Sequence, residues 1–301
     1  MEQIKFSVVL TVLNEERTIE ALLTSLINQS TQLIEIIIVD AGSTDKTLRL
    51  INQFKIKYSF ITLFVHTGVN RSKGRNIGID AAKNNHIAVI DAGCEANKSW
   101  LEQLACGFDG QSESVAGFYI PVIKKPLQRL FSFFVATSME AFDPNTFLPS
   151  SRSLAFTKNI WKNVGKYPEE LDTCEDLVFA QRLKTSGSMV VQKDAVVYWQ
   201  QAENLSEFFK QIRGYARGDV DAWYWPHMWK IFSVYARYVV FCIVPPLFLV
   251  YLFFPIAKMR SKGIGFGDWG WLSIIQVVSD AGVLSGSLAG LYRRINPVSA
   301  R

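Results

Sequence analysis

Residues 35–47 read EIIIVDAGSTDKT. Ile36 to Val39 offer no polar side chain to turn toward water, so the run suits a strand covered on both faces of a sheet. The strand is expected over Ile34–Asp40, and the Gly-Ser-Thr-Asp that follows marks a turn into the next helix. A carboxylate, Asp40, therefore closes a buried strand. In open α/β sheets, ligands bind beyond the carboxyl ends of the strands.

Working outward, the alternation continues. Phe6–Leu13 reads as a strand, and Glu15–Gln29 as a helix with Ile19, Leu22, Leu23 and Leu26 on one face. Asp45–Phe54 is a helix, and the strands Phe60–His66 and His86–Asp91 flank a helix near Lys73–Lys83. This rhythm predicts an α/β fold with a doubly wound, mostly parallel sheet flanked by helices. The pattern then loosens: a strand at Val115–Ile120, a helix at Pro126–Ser138, a loop at Asp143–Ser153, a helix from Thr173, two short strands within Met189–Trp199 and a helix over Asn204–Trp225. Residues 1–228 are expected to form one domain, in halves 1–97 and 98–228, followed by hydrophobic helices over 229–301.

The chain has 301 residues, 49% hydrophobic and 20% charged, enough for a large core. A net charge of +5 suits an anionic ligand or surface, but its scatter argues against nucleic acid. Cys94, Cys106, Cys174 and Cys242 lie far apart without metal-ligand or disulfide spacing, which fits a reducing compartment. The first apolar run, Phe6–Leu13, reads as a strand rather than a signal peptide. No G-x-x-x-x-G-K-[ST], H-E-x-x-H or G-x-S-x-G motif occurs, and no G-x-G-x-x-G follows the first strand.

Five stretches occur together in order: VVLTVLNEERTIEALLTSL at 8–26, EIIIVDAGSTDKT at 35–47, RSKGRNIGID at 71–80, AVIDAGCEAN at 88–97 and TCEDLVFAQRLK at 173–184. In this combination the chain resembles the family 2 glycosyltransferases of GT-A fold, over roughly its first two-thirds. The resemblance implies an inverting transferase that moves a sugar from a nucleotide donor to an acceptor hydroxyl. It implies donor contacts from Thr11, Leu13, Glu15 and Asp40, with Asp40 taking the base or ribose. The alternative for Asp40 and for Ser43, Thr44 and Asp45 is a turn and helix cap, a part that suits Ser43 or Thr44.

Arg71, Lys73 and Arg75 cluster at a helix start, where a diphosphate would meet cations and donated N–H groups, and the match to the family's donor-binding stretch is best at Arg71, Gly74 and Asn76. A solvated basic face is the plainer alternative. Asp91, Ala92 and Gly93 fall where relatives carry D-x-D. Asp91 matches the first acid, but Gly93 replaces the second, which relatives use to hold a metal. The late histidine of many relatives is also absent near Trp199 and Gln200, and Glu95 is displaced by two residues. Two expectations stand side by side: Mg²⁺ or Mn²⁺ held by Asp91 and water, or a diphosphate neutralised by arginine and lysine alone.

Asp176 matches the family's general base and Glu175 its neighbour, which contacts acceptor or scaffold. Thr173-x-x-Asp176 also approximates a capping box. Arg152, in the serine-rich loop, and Gln211, Arg213 and Arg217, in an aromatic-rich helix, match regions that border the acceptor or close over the site. An interfacial basic helix is the alternative for the last three.

Tyr238–Ala257 carries no charged side chain and is long enough to cross a bilayer, but Pro245-Pro246 interrupts it. A second apolar stretch, Trp269–Tyr292, has Gly282, Gly286 and Gly290 at four-residue spacing. Lys258, Arg260 and Lys262 between the two favour the same cytoplasmic side as Arg237, Arg293 and Arg294. Residues 238–292 are thus expected to enter and leave one face of the cytoplasmic membrane, with a two-span hairpin as runner-up. A nucleotide-sugar donor and a glycan or lipid-linked acceptor are the expected partners. The competing functions are a non-catalytic scaffold that binds nucleotide sugar and a nucleotidyltransferase.

Overall fold

Phe6–Val12 forms β1 and Glu35–Asp40 forms β2, which is buried along its whole length. The two pair in parallel, linked by α1 (Ile19–Ile27), whose Ile19, Leu22, Leu23 and Leu26 are buried. This computed structural model describes residues 4–31, 35–137, 139, 142–143, 146–187 and 189–296. Ile34 and Ser138, at the edges of the expected strand and helix, lie outside the described residues.

Next come α2 (Thr47–Lys57), β3 (Ile61–Val65), α3 (Arg71–Ala81) and β4 (His86–Val89). The short β5 (Cys94–Ala96), α4 (Trp100–Cys106), β6 (Ser114–Val122), α5 (Pro126–Val135), β7 (Leu154–Thr157), α6 (Lys158–Asn163), α7 (Glu175–Thr185) and β8 (Met189–Gln200) complete the mixed region. The eight strands form one sheet ordered β3-β2-β1-β4-β7-β6-β8-β5. The first four are parallel, as the βαβ rhythm predicts. β7 runs antiparallel to β4 and to β6, and β5 antiparallel to β8. The sequence did not reveal β5, because three residues are too few for a period to register. β8 is one 12-residue strand rather than two short ones.

The chain divides into two units: residues 1–121 with 138–200, and residues 122–137 with 201–301. The sequence reading places its boundary at 228 instead. Both α5 and α8 (Leu205–Asp221) belong with the C-terminal helices, because their apolar faces pack there. The first unit holds the sheet, with a core that includes Val9, Ile37, Ile87, Phe156, Trp161 and Phe179.

In the second unit, Leu130 and Phe131 of α5 and Phe208 and Ile212 of α8 join Leu272 and Ile275 of α12 (Trp269–Ile295) in one apolar cluster. The apolar run at 238–257 is broken into α9 (Trp225–Ile243), α10 (Pro246–Leu252) and α11 (Phe254–Met259). Pro245-Pro246 causes the break, since proline supplies no amide donor and crowds the preceding turn. Among the described residues, Phe266–Ile295 is the one helical stretch long and apolar enough to cross a bilayer.

The glycines of α12 have a packing role. A methyl group at Gly282 would stand 2.9 Å from Ile212 Cγ2, one at Gly290 2.8 Å from Val220 Cβ, and one at Gly286 would overlap the Arg213 carbonyl oxygen. Gly286→Val is therefore expected to separate α12 from α8 and cost about 1–3 kcal/mol, the usual range for overpacking. A chemical denaturation midpoint equal to wild type would contradict this packing.

Candidate active site

The site is built at the carboxyl ends of the central strands. β1 lies between β2 and β4, with Val12 opposite Asp40 and Val9 opposite Val89. Asp40 and Asp91 consequently flank the end of one strand. On the other side of β4, Val89 stands opposite Leu154, and beyond that last pair Arg152 acts electrostatically on Asp91. Cys94 pairs with Trp199, and the Gly93 carbonyl accepts from the Gln200 N–H at 2.9 Å.

Asp40 fulfils the turn role and keeps something in reserve. Its Oδ1 accepts the N–H groups of Gly42 and Ser43, both at 2.8 Å, in a turn that Gly42 enters at φ +104°. L side chains rarely adopt that φ, which accounts for glycine at the position. Oδ2 is buried and has no hydrogen-bond partner among the described residues. A buried carboxylate oxygen without a donor is costly and marks a place for one. Ser43 and Thr44 do not cap α2 as expected. Ser43 Oγ accepts from the Asn14 N–H, and Asn14 Oδ1 accepts from the Thr44 N–H, while Asp45 accepts from Thr47.

Beside this turn, Thr11 is half-buried and Leu13 is exposed at the end of β1. Glu15 donates its N–H to Thr47 and accepts from the Thr18 hydroxyl at 2.6 Å. Burial pushes the Glu15 carboxyl above the ordinary carboxylate range, against the pull of Thr18 and Arg71. Arg71 and Lys73 are exposed on the first turn of α3, and Arg71 also acts electrostatically on Asp91. Asn76 is a correction. It is buried, donates to the Tyr167 carbonyl and Glu169, and accepts from Trp161 and the Tyr167 N–H, so its amide is committed to the interior rather than to a donor.

Arg75, grouped in the sequence with Arg71 and Lys73 as a cation for the diphosphate, is instead paired inside the protein. Buried at 2% exposure, it donates to Asp91 at 2.7 Å and to Glu175 at 2.8 Å, joining α3, the segment after β4 and α7. Burial opposes its charge, but the two carboxylates more than offset that. Burial raises Asp91 too, yet Arg75, Arg152 and Arg71 together hold its carboxyl below the usual range. In Glu175 burial wins over Arg75, and the pKa is raised. Glu175 is therefore a buried scaffold acid rather than a group presented to substrate.

Asp176, next in sequence, is half-buried, and its Oδ2 accepts from the Ser150 hydroxyl at 3.0 Å. The cap residue of α7 is Cys174, at φ +68°, rather than Thr173, and Asp176 Oδ1 accepts the Leu177 N–H at 2.8 Å. Each Asp176 oxygen thus accepts one hydrogen bond, and a carboxylate oxygen can accept a second. Ser151 and Ser153 hold the loop from beneath through Tyr167, Trp100 and the Ala195 carbonyl. Gln211 donates to the Tyr215 hydroxyl, and Arg213 and Arg217 lie on α8 with their carbonyls against Gly286 and Gly290; all three belong to the second unit.

The metal expectation meets an unsuitable donor set. Asp91 Oδ1 is committed to Arg75, Ala92 is buried, residue 93 has no side chain, and Glu95 accepts from Gln200 at 3.1 Å. Among the described residues no three His, Cys, Asp or Glu side chains are grouped as metal ligands do.

Residues 7–139 match the family model for glycosyl transferase family 2. The chain is 24% identical over 230 residues to glycosyltransferase AglE of Haloferax volcanii, covering 72% of this chain and 73% of that protein. It is 24% identical to the poly(ribitol-phosphate) beta-N-acetylglucosaminyltransferase TarS of Staphylococcus aureus over 68% of this chain and 37% of TarS. The crystal structure of S. aureus TarS 1–349 in complex with UDP-GlcNAc superposes with a TM-score of 0.58 at 20% identity, covering 97% of this chain and 92% of the other. At that identity the likeness is one of fold.

Proposed function

Since the chain is a family 2 glycosyltransferase, we propose that its strand-end crevice takes a nucleotide-sugar donor and transfers the sugar with inversion to a hydroxyl of a glycan or lipid-linked acceptor. The observation that carries this is the unpaired, buried Oδ2 of Asp40 at the rim that also presents Asp176. A carboxylate only accepts, so the group that completes Asp40 is an N–H or O–H of the ligand. Uracil, thymine and guanine each have a ring N–H to offer, whereas neutral adenine and cytosine have none. The loop pairing Asn14 with Ser43 and Thr44 forms one wall beside that base, with Thr11, Leu13 and Glu15. Exposed Arg71 and Lys73 lie toward the diphosphate.

Asp176 takes the proton of the acceptor hydroxyl as its oxygen attacks the anomeric carbon. The Ser150 hydroxyl orients the carboxylate, and the Arg75–Glu175 pair fixes the start of α7.

The second unit is the membrane-binding part. Trp229, Phe232, Ile243, Leu249, Phe253 and Phe266 are exposed, beside the exposed cations Lys230, Lys258, Arg260 and Lys262. Aromatic residues alternating with lysine and arginine suit the headgroup layer of an anionic membrane. Helix α12 packs along α8, which carries Arg213 and Arg217, so lying in the interface suits it better than spanning. The catalytic unit would then face the cytoplasm, where nucleotide sugars are available.

Thermal shift over a nucleotide panel tests the donor assignment. Uridine, thymidine or guanosine diphosphate is expected to raise the melting midpoint, because a ligand bound only by the folded state stabilises it. Asp40→Ala should abolish that rise. A rise with adenosine or cytidine diphosphate alone contradicts a ring N–H as the partner of Asp40, and a rise that survives Asp40→Ala contradicts its role altogether.

A further inference from the structure

Arg152 occupies an unusual position for a loop residue. Its guanidinium lies over the Trp199 ring at 4.3 Å and the Tyr119 ring at 4.9 Å. Two aromatic faces hold a planar cation through the ring quadrupole, with its N–H groups at the edge of that plane. One of those, on Nη1, donates to Ser150 Oγ at 2.9 Å, and Ser150 donates in turn to Asp176. On the other side, Arg152 precedes β7 and Asp91 follows β4, its paired strand, and the Arg152 charge helps to hold the Asp91 carboxyl ionised. The residue is half-buried, so a ligand can reach it.

A fixed cation therefore stands between the degraded metal motif at 91–93 and the candidate base. It rests on the same Trp199 that pairs with Cys94. A divalent ion in such a crevice would have to compete with Arg75 for Asp91 and would find no acid at 93. Arginine is well suited to the alternative, because its fork of donors matches phosphate oxygens and it stays charged at any working pH.

We propose that Arg152 is a catalytic residue that stabilises the leaving nucleoside diphosphate, supplying the positive charge that a metal would otherwise bring. This rests on the donor reading above. The acceptor oxygen forms its bond to the anomeric carbon as the bond from that carbon to the β-phosphate oxygen breaks. The electron pair goes to the diphosphate, where Arg152 offsets the charge, and the acceptor's proton goes to Asp176. Trp199 and Tyr119 are the positioning residues that keep the guanidinium from folding back onto Asp176.

Calorimetric titration of the full chain with UDP and uridine, and with GDP and guanosine as a second pair, tests this. Arg152→Gln is expected to weaken the bound diphosphate about 10- to 100-fold, the range of charge-assisted hydrogen bonds, while its parent nucleoside binds as to wild type. Arg152→Lys should recover part of the loss, since the charge remains but the fork does not. Wild-type affinity for the diphosphate should be the same in EDTA as with Mn²⁺. An equal loss for diphosphate and nucleoside, or no loss for either, overturns the role of Arg152. So does wild-type binding that vanishes in EDTA and returns with Mn²⁺, a result that needs no variant to fold. If wild type binds neither nucleoside nor diphosphate, the donor reading falls and this proposal with it.

Discussion

Replacing Arg75 with methionine is expected to cost about 3–5 kcal/mol of stability, the range seen when one partner of a buried ion pair is removed. Arg75, with its side chain 3% exposed, serves two acids at once, and Glu175 is nearly as buried as the arginine. Methionine fills much of the volume but leaves Glu175 in a low-dielectric site without its cation. Glu175 would then take up a proton, and Asp91 would lose its closest positive neighbour. Adding Glu175→Gln to Arg75→Met should recover part of the loss, because a neutral amide tolerates the site better than an unpaired carboxylate. Urea denaturation of wild type and the single and double variants measures this. A single variant within 1 kcal/mol of wild type would show that the network is not a structural hub.

The second large effect is catalytic. Asp176→Asn is expected to lower kcat by about 10²–10⁴-fold, the contribution usual for a positioned general base. Asparagine has the same shape and can still accept from Ser150, so the fold and donor affinity should be nearly unchanged. Glu175→Gln behaves differently under the same reasoning, since it acts on stability through Arg75 and touches no substrate. Initial rates with saturating donor, together with a donor titration, separate the two variants. Donor affinity lost along with turnover in Asp176→Asn would place this carboxylate in the donor pocket instead.

Much of this architecture is legible in the chain. The unbroken apolar run before Asp40 requires a strand covered on both faces, and the alternation around it leads to the four parallel strands. What stays hidden depends on long-range partners. Nothing local in RSKGRNIGID separates Arg75, which is buried on two acids, from Lys73, which faces solvent two residues earlier. The same stretch made Asn76 look like a ligand residue, although Trp161 and Tyr167 claim its amide from the far end of the unit.

The region at 91–93 and Trp199 looks, in sequence, like a lost metal site. Only the pairing of β5 with β8 and of β4 with β7 brings Arg152 across from it. In sequence α8 is polar enough to be read with the first unit. Its apolar side, through Phe208 and Ile212, packs into the same cluster as α12.

The most direct measurement is the anomeric configuration of the sugar released from, or transferred out of, the stabilising nucleotide donor, followed by NMR at early times. The roles proposed for Asp176 and Arg152 predict a product of inverted configuration, formed by wild type and nearly absent with Asp176→Asn. Early release with retained configuration, or undiminished turnover in that variant, would contradict a single-displacement transfer driven from Asp176.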